Sequence, residues 1–418
     1  MLFTVAQFAK PFMTFKKAIK NKSDRKSLSV ETAYYTSIKN VPADEWNKAI
    51  NTNDVFVTIP YLTSLEQSKT AGMAYRYVII KNKKHAIGAM CFQLLNVAEK
   101  DLGGLLNLEE KGWLLKKLNK HINGLLFSSN NNRPNYIVSC GSFLVSGEHG
   151  ISFSDKENEY VIVSILPEIM NTLKKEIEKT ADICAWTVKD FFNISFSDHV
   201  LTGNKFMNMP MDPEMIFNPR SEWKHFDDYI NSLSAKYRLR ANNVLKKMNG
   251  IVVKELSEKE IQQYAHDIEA LYNNVQQRAT VRLVRVNASY FIQLKKHLRD
   301  AFYIKAFFKE GKMIAFISGL VHKGFHEAHF IGIDYAYNKA LQLYQNILYQ
   351  FIKDAIEKKS CCLYFGRTAM EIKSTVGAKA FPLHTYFKLD NSFLNKMLFH
   401  FSKRMKAEEW IERSPFKV

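Results

Sequence analysis

The chain has 418 residues, more than one hydrophobic core usually fills, and with 46% hydrophobic and 13% aromatic residues it has ample material for packed cores. Two domains are therefore expected, and extended disorder is excluded for most of the length. The balance of 59 basic against 41 acidic residues, a net charge of +18, points to an anionic partner: nucleic acid, a membrane surface, or a phosphorylated or nucleotide-linked substrate.

The five cysteines, Cys91, Cys140, Cys184, Cys361 and Cys362, form no CxxC, and an adjacent pair does not bridge to itself in ordinary backbone geometry. This reads as a reduced, cytosolic protein without structural zinc. Lys10 and Pro11 interrupt the apolar start, and no run of 18 apolar residues follows, so neither a typical secretion signal nor a spanning helix is expected.

Residues 1–26 carry seven basic residues against Asp24 alone, with Phe3, Phe8, Phe12, Phe15 and Ile19 at near-helical spacing. A basic amphipathic helix is one reading, suited to an anionic lipid surface; a helix docked on its own domain is the other. A strand is expected at 33–38, a helix opened by Pro42 with Asp44 and Glu45 in its first turn, and a second helix over 61–67. Strands at 74–80 and 85–95 are joined by the polar turn 81–84. A helical period surrounds Leu114 to Leu125, and a surface loop runs from Ser128 to Arg133. A strand over 136–146 runs into Gly147-Glu-His-Gly150, followed by a helix at 161–179 and a strand at 183–188.

The Pro- and Met-rich passage 208–213 marks a boundary. Beyond it comes a basic helix over Tyr237 to Lys247, and then the earlier order returns. A hairpin at 302–308 and 313–321 precedes a strand ending at Asp334, a helix from Leu341 to Lys359 and a strand ending at Phe365. In the helix Leu341, Tyr344, Ile347, Leu348, Phe351, Ile352 and Ile356 recur at three- and four-residue steps, so one face packs on a sheet. Strand, crossover helix and strand form a βαβ unit, whose loops 334–339 and 366–373 line one mouth at the strands' carboxyl ends. The domains read as 31–210 and 211–392, flanked by a basic amphipathic segment 1–30 and a basic amphipathic tail 393–418.

The repeated layout of hairpin, strand, helix and parallel strand resembles the GNAT acyltransferase fold. Two such units in tandem resemble the FemAB-like acyltransferases. The likeness is carried by Tyr237-Arg-Leu-Arg-Ala-Asn-Asn-Val-Leu-Lys-Lys247 and by the strand end Phe365-Gly-Arg-Thr368 with Gly377 and Tyr386-Phe-Lys388 after it; 60–66 is similar to an N-terminal signature of related members. The resemblance implies an α/β fold of two tandem GNAT-like domains, and an N-acyltransferase that moves an acyl or aminoacyl group from a thioester or ester donor to an amine of a lipid or cell-envelope precursor. A glycine loop of the CoA-binding kind is replaced by Tyr335-Ala-Tyr-Asn-Lys-Ala340, with Tyr335, Asn338 and Lys339 as the donor-binding candidates. Acyl-CoA, an acyl-carrier protein or an aminoacyl-tRNA stay open as donor co-substrate, with no tightly bound cofactor.

Gly366 and Arg367 at a strand end, with Lys373 beyond, offer a grip for phosphate or carboxylate; the alternative is an arginine that ties down its own loop. Arg238, Arg240 and Lys247 extend such a grip on the basic helix, which otherwise is a solvated face. His329 and Asp334 are candidates for removing a proton from the attacking amine, and Glu148 with His149 are their first-half counterparts. His322, His326, His329 and Asp334 are not expected to gather a metal, because strand alternation turns His329 away. The competing function is a non-catalytic, degenerate GNAT pair that binds an anionic polymer or RNA. Both ends combine apolar and basic residues, Leu394, Met397, Leu398 and Phe401 among them, so the expected location is the cytosol with visits to the inner membrane face.

Overall fold

A computed structural model describes residues 13–20, 27–97, 133–193, 197–278, 284–402 and 410–417. The helix expected around 114–125 lies outside them. The described residues form two compact units, one within Met1–Pro210, Val281–Val284 and His384–Lys406, the other within Met211–Thr280, Arg285–Leu383 and Ala407–Val418.

The first unit contains β1 (Met13–Lys20), β2 (Ser27–Tyr35), α1 (Ala43–Ala49), α2 (Ile59–Gln67), β3 (Met73–Asn82), β4 (His85–Asn96), β5 (Asn135–Cys140), β6 (Ile151–Phe153), α3 (Glu159–Ser164), α4 (Leu166–Ile177), β7 (Asp182–Phe191), α5 (Ser197–Gly203) and β8 (Met207–Pro210). β5 and β7 run parallel with α3 and α4 as their crossover. Ile162, Leu166, Ile169 and Leu173 of these helices pack on Val78, Phe92, Val138 and Val188 of the sheet. Each such fully buried side chain contributes about 1.5–3 kcal/mol. Two expectations are corrected here. Residues 13–20, read as part of a basic helix, are a strand paired antiparallel with β2 from Met13↔Tyr34 to Lys20↔Ser27. The single helix expected at 161–179 is two, divided at Ile165.

The second unit contains β9 (Glu214–Phe217), α6 (Phe226–Ser232), α7 (Ala235–Lys246), β10 (Ile251–Glu255), α8 (Glu258–Gln263), α9 (Ala265–Gln276), α10 (Ala288–Leu298), β11 (Phe302–Lys309), β12 (Lys312–His322), β13 (Phe325–Ile333), α11 (Tyr335–Leu341), α12 (Leu343–Glu357), β14 (Cys362–Tyr364), α13 (Met370–Ser374) and β15 (Lys379–Phe381). The strands lie in the order β10-β11-β12-β13-β14-β9-β15. Glu310-Gly311 and Lys323-Gly324 both carry positive φ, the two-residue turn that matches strand twist, and they set the β11–β12 and β12–β13 hairpins. α12 buries Ile347, Leu348, Phe351, Ile352 and Ile356 as its period requires. The loop expected at 335–340 is a helix instead. Asp334 opens it by accepting the Ala336 N–H, which the missing glycines did not foretell.

After β15 the chain returns to the first unit. β16 (His384–Leu389) inserts between β7 and β8, antiparallel to both, and α14 (Ser392–Ser402) follows it. Residues 384–392, assigned from sequence to the second domain, thus belong to the first unit, whose sheet β16 completes. Leu394 and Leu398 of α14 are buried beside Ile137, Cys184 and Leu389, so these two residues of the expected membrane-facing stripe pack on their own unit. Phe393 and Phe399 stay exposed. No helix among the described residues is long and apolar enough to cross a membrane. The described C-terminal stretch lies along the second unit. Phe416 bridges to Leu233 and its ring contacts Trp223 and Tyr229, while Arg413 donates from its backbone N–H to Ser374 Oγ and from its guanidinium to Glu371.

Candidate active site

The two parallel strand pairs differ. In the first unit β5 stays paired with β7 over its whole length, from Asn135↔Asp182 to Cys140↔Val188. In the second unit β13 pairs with β14 only from Phe325↔Cys362 to Glu327↔Tyr364, then runs on to Ile333 while the chain beyond Tyr364 turns to β9. Strands that part at their carboxyl ends open a crevice in which α/β sheets bind ligands. In the second unit β13 runs on beyond its pairing with β14 by six residues, Ala328 to Ile333, the arrangement that opens such a crevice.

At the tip of β14 the Phe365 N–H donates to Met215 O, and the Gly366 N–H donates to Glu214 Oε1 at 2.6 Å. Gly366 has φ +74°, which favours glycine, and a Cβ there would meet nothing within 4 Å. The short helix α13 then brings Lys373 back so that its ammonium donates to Gly366 O at 2.9 Å. Lys373 is 4% exposed, Glu214 1% and Glu327 9%. Burial pulls the Lys373 pKa down to about 8, against the opposing charges of Glu214, Glu327 and Asp212. Arg367, half-buried next to Gly366, is likewise lowered to about 10 by burial. The structure therefore brings Gly366 and Lys373 together, and adds Glu214 and Glu327, which sequence reasoning missed. Their signal was a lone carboxylate inside a short apolar strand, at Glu214-Met-Ile-Phe217 and in β13.

His329 sits elsewhere. The β12–β13 register slips between Ser318↔Phe330 and Gly319↔Ala328, leaving His329 as the extra residue of a bulge. Two consecutive side chains, His329 and Phe330, consequently meet Tyr290. Both His329 ring nitrogens are engaged, Nε2 with the Tyr290 hydroxyl at 2.9 Å and Nδ1 with Ser318 Oγ at 3.2 Å, and burial lowers its pKa to about 3. On the opposite side of that strand, His326 Nε2 meets the Tyr303 hydroxyl at 2.8 Å. Tyr303 reaches it by lying over Gly319, where a Cβ would come within 2.4 Å of the ring. Asp334 caps α11 and pairs with Lys312 at 2.9 Å. These contacts give His329 and Asp334 structural tasks.

Of the donor-binding candidates, Tyr335 has the Arg278 guanidinium 3.8 Å from its ring centroid, Asn338 Oδ1 accepts the Tyr344 N–H that opens α12, and Lys339 is exposed on α11. On α7 Arg238 is half-buried and Arg240 exposed, and Lys247, which caps the helix at its carboxyl end, is exposed too. In the first unit His149 Nδ1 meets Asp54 Oδ2 at 2.9 Å and Nε2 meets Ser146 O at 2.8 Å. Two acceptors facing two ring nitrogens suit an imidazolium: burial opposes the charge, but Asp54's charge and hydrogen bond outweigh it and the pKa is raised. Glu148 accepts the Phe192 N–H at 2.8 Å, and burial raises its pKa. Among the described residues no cluster of His, Cys, Asp or Glu is arranged to hold a metal.

No protein-family model and no curated protein sequence matches the chain. Solved structures do. FemX superposes with a TM-score of 0.52 at 11% identity, covering 87% of this chain and 99% of its own. A tandem GNAT protein from the clavulanic acid biosynthesis pathway (TM-score 0.45, 8% identity, 90% of this chain and 98% of that one) and a conserved protein of unknown function from Bacteroides thetaiotaomicron (0.44, 11%, 83% and 97%) are also similar. The fold assignment rests on the first. The chain has the FemX-like fold, two GNAT-type α/β units in tandem.

Proposed function

We propose that the protein is an N-acyltransferase that moves an acyl or aminoacyl group from a thioester or ester donor to an amine of a lipid or cell-envelope precursor, with the chemistry in the second unit. The observation that carries this reading is the parting of β13 from β14 with a buried lysine of lowered pKa fixed at its edge. The amine nitrogen attacks the carbonyl carbon, a C–N bond forms, and the bond to the donor's sulfur or oxygen breaks. Neutral Lys373, present at mildly alkaline pH, accepts the proton that the attacking amine loses and passes it to the leaving thiolate or alkoxide. Glu214 holds the Gly366 turn in place by its N–H, so the lysine acts from a fixed position.

The decisive measurement compares N-acylated lipids and envelope precursors by mass spectrometry in cells with and without the gene, alongside the purified protein offered acyl-CoA, an acyl-carrier protein thioester and an aminoacyl-tRNA. An unchanged profile and no turnover from any donor sinks the reading. The cations of α7, with no acidic residue among them, support the second reading, binding of an anionic polymer without catalysis. Salt-sensitive RNA binding with no transfer from any donor is its signature.

A further inference from the structure

A nucleotide-linked donor is commonly held by free backbone N–H groups at a helix start. In the second unit the chain occupies such groups with its own side chains: Asp334 Oδ1 accepts the Ala336 N–H at 3.1 Å, and Asn338 Oδ1 accepts the Tyr344 N–H at 3.1 Å. A donor presented by a macromolecule does not depend on them. Next to this region lies α7, whose Ala241 and Val244 are buried and whose Val244 carbonyl accepts from Asn346 Nδ2 of α12 at 3.1 Å.

The outer face of α7 is unlike the rest of the unit. Lys236, Arg240, Asn243 and Lys247 follow one another at steps of four, three and four, with Lys246 alongside, and all are exposed. From Ala235 to Lys247 there is no acidic residue. The stripe spans 11 residue steps, about 16 Å of helix. Like charges at this spacing repel one another, so an anionic surface laid along them is attracted. In the middle of the stripe stands Leu239, 65% exposed.

We infer that this face of α7 docks an acidic, amphipathic helix of an acyl-carrier protein. The inference rests on the acyltransferase reading above and names its donor. Charge complementarity alone suits RNA equally, and Leu239 decides between them. An aliphatic side chain among cations matches a protein helix that offers acids around an apolar residue. A nucleic acid gains from aromatic platforms, and the aromatic residue of α7, Tyr237, packs against its own core.

The test is fluorescence anisotropy of the full chain with a labelled acyl-carrier protein bearing its pantetheine arm, and separately with bulk tRNA, at low and moderate salt. Variants are Leu239→Ser and the pair Arg240→Glu with Lys247→Glu, all at exposed positions, with circular dichroism to confirm the fold. The expected result is about a tenfold loss of carrier-protein affinity for Leu239→Ser and a larger loss for the charge pair, while tRNA responds to the charge pair alone. Absence of carrier-protein binding, or binding indifferent to Leu239→Ser, overturns the inference, and tight tRNA binding then replaces the occupant. Turnover of a soluble acyl-pantetheine thioester separates the two claims: transfer without docking leaves the enzyme standing and removes the carrier protein, and docking without transfer does the reverse.

Discussion

The Lys373 ammonium donates to the carbonyl of Gly366, the residue whose N–H is bound by Glu214. The lysine's folded pKa of about 8 lies below its unfolded value of about 10.5. Transfer is therefore expected to rise with pH and level off above an apparent pKa of about 8. Lys373→Arg, charged throughout, lowers kcat by about 100-fold and removes that inflection. Because the unfolded chain holds this proton more tightly, stability is expected to increase between pH 8 and 10.5, a gain that Lys373→Met lacks. Denaturant titration across that range checks it.

His326 and His329 give the opposite end of the pH scale. Each has a pKa pushed down to about 3, the first-named by burial with added repulsion from Lys358 and Lys305, the second by burial. Unfolded histidine titrates near 6.5, so protons favour the unfolded chain throughout the interval and stability falls as pH drops from about 6.5 to 3. Each histidine contributes up to about 1.4 kcal/mol per pH unit. His326→Gln and His329→Gln should each shallow this slope in acid denaturation curves, whatever they do to stability at pH 7.

His149 behaves in the reverse sense, since Asp54 raises its pKa against burial. Asp54→Asn removes the charge while preserving the shape, and burial then acts without its main opponent. The His149 pKa, read from ring proton shifts by NMR, should fall below the ordinary value of 6.5. A pKa unchanged in the variant would show that Asp54 does not set the charge.

Gly377 and Phe416 form a test of the C-terminal stretch. Gly377 has φ +100°, and a Cβ there would come 2.5 Å from the Phe416 ring. Gly377→Ala should cost about 1–3 kcal/mol, from strain and from the clash together. Phe416→Ala costs about 2 kcal/mol by lost packing on Trp223 and Tyr229. The double variant should be more stable than the sum predicts, because the clash is gone. Strict additivity in urea unfolding would refute the contact.

Much of the second unit was legible because local signals agree there. The Glu310-Gly311 and Lys323-Gly324 turns, the apolar stripe of α12 and the run into Gly366 each point to the same layout. β1 was not legible: Phe15 and Ile19 fit a helical spacing as well as a strand, and only pairing with β2 decides. At Asp334 the capping residue stands in the sequence, but the residues after it fit a strand-to-helix loop equally well, and only the Ala336 N–H bonded to Asp334 Oδ1 marks a helix start there. Lys373 was named for its place after a strand end, but its burial depends on the α13 turn and on Glu214, 159 positions away in sequence, and no local pattern reports such a pairing. His329 is a base candidate by residue type, since an imidazole can take a proton near neutral pH; the one-residue bulge that hands it to Tyr290 leaves no mark in the sequence.

The insertion of β16 has a consequence for biosynthesis. β7 and β8 are separated in the sheet by a strand that begins 174 residues after the end of β8 and 193 after the end of β7, so on the ribosome the first unit emerges with a gap in its sheet. Until His384–Leu389 leaves the exit tunnel, the facing edges of β7 and β8 expose unpaired backbone groups, which invite wrong partners. A nascent chain stalled at residue 300 should therefore need a chaperone's protection, and should be rescued by a supplied peptide that carries residues 384–402.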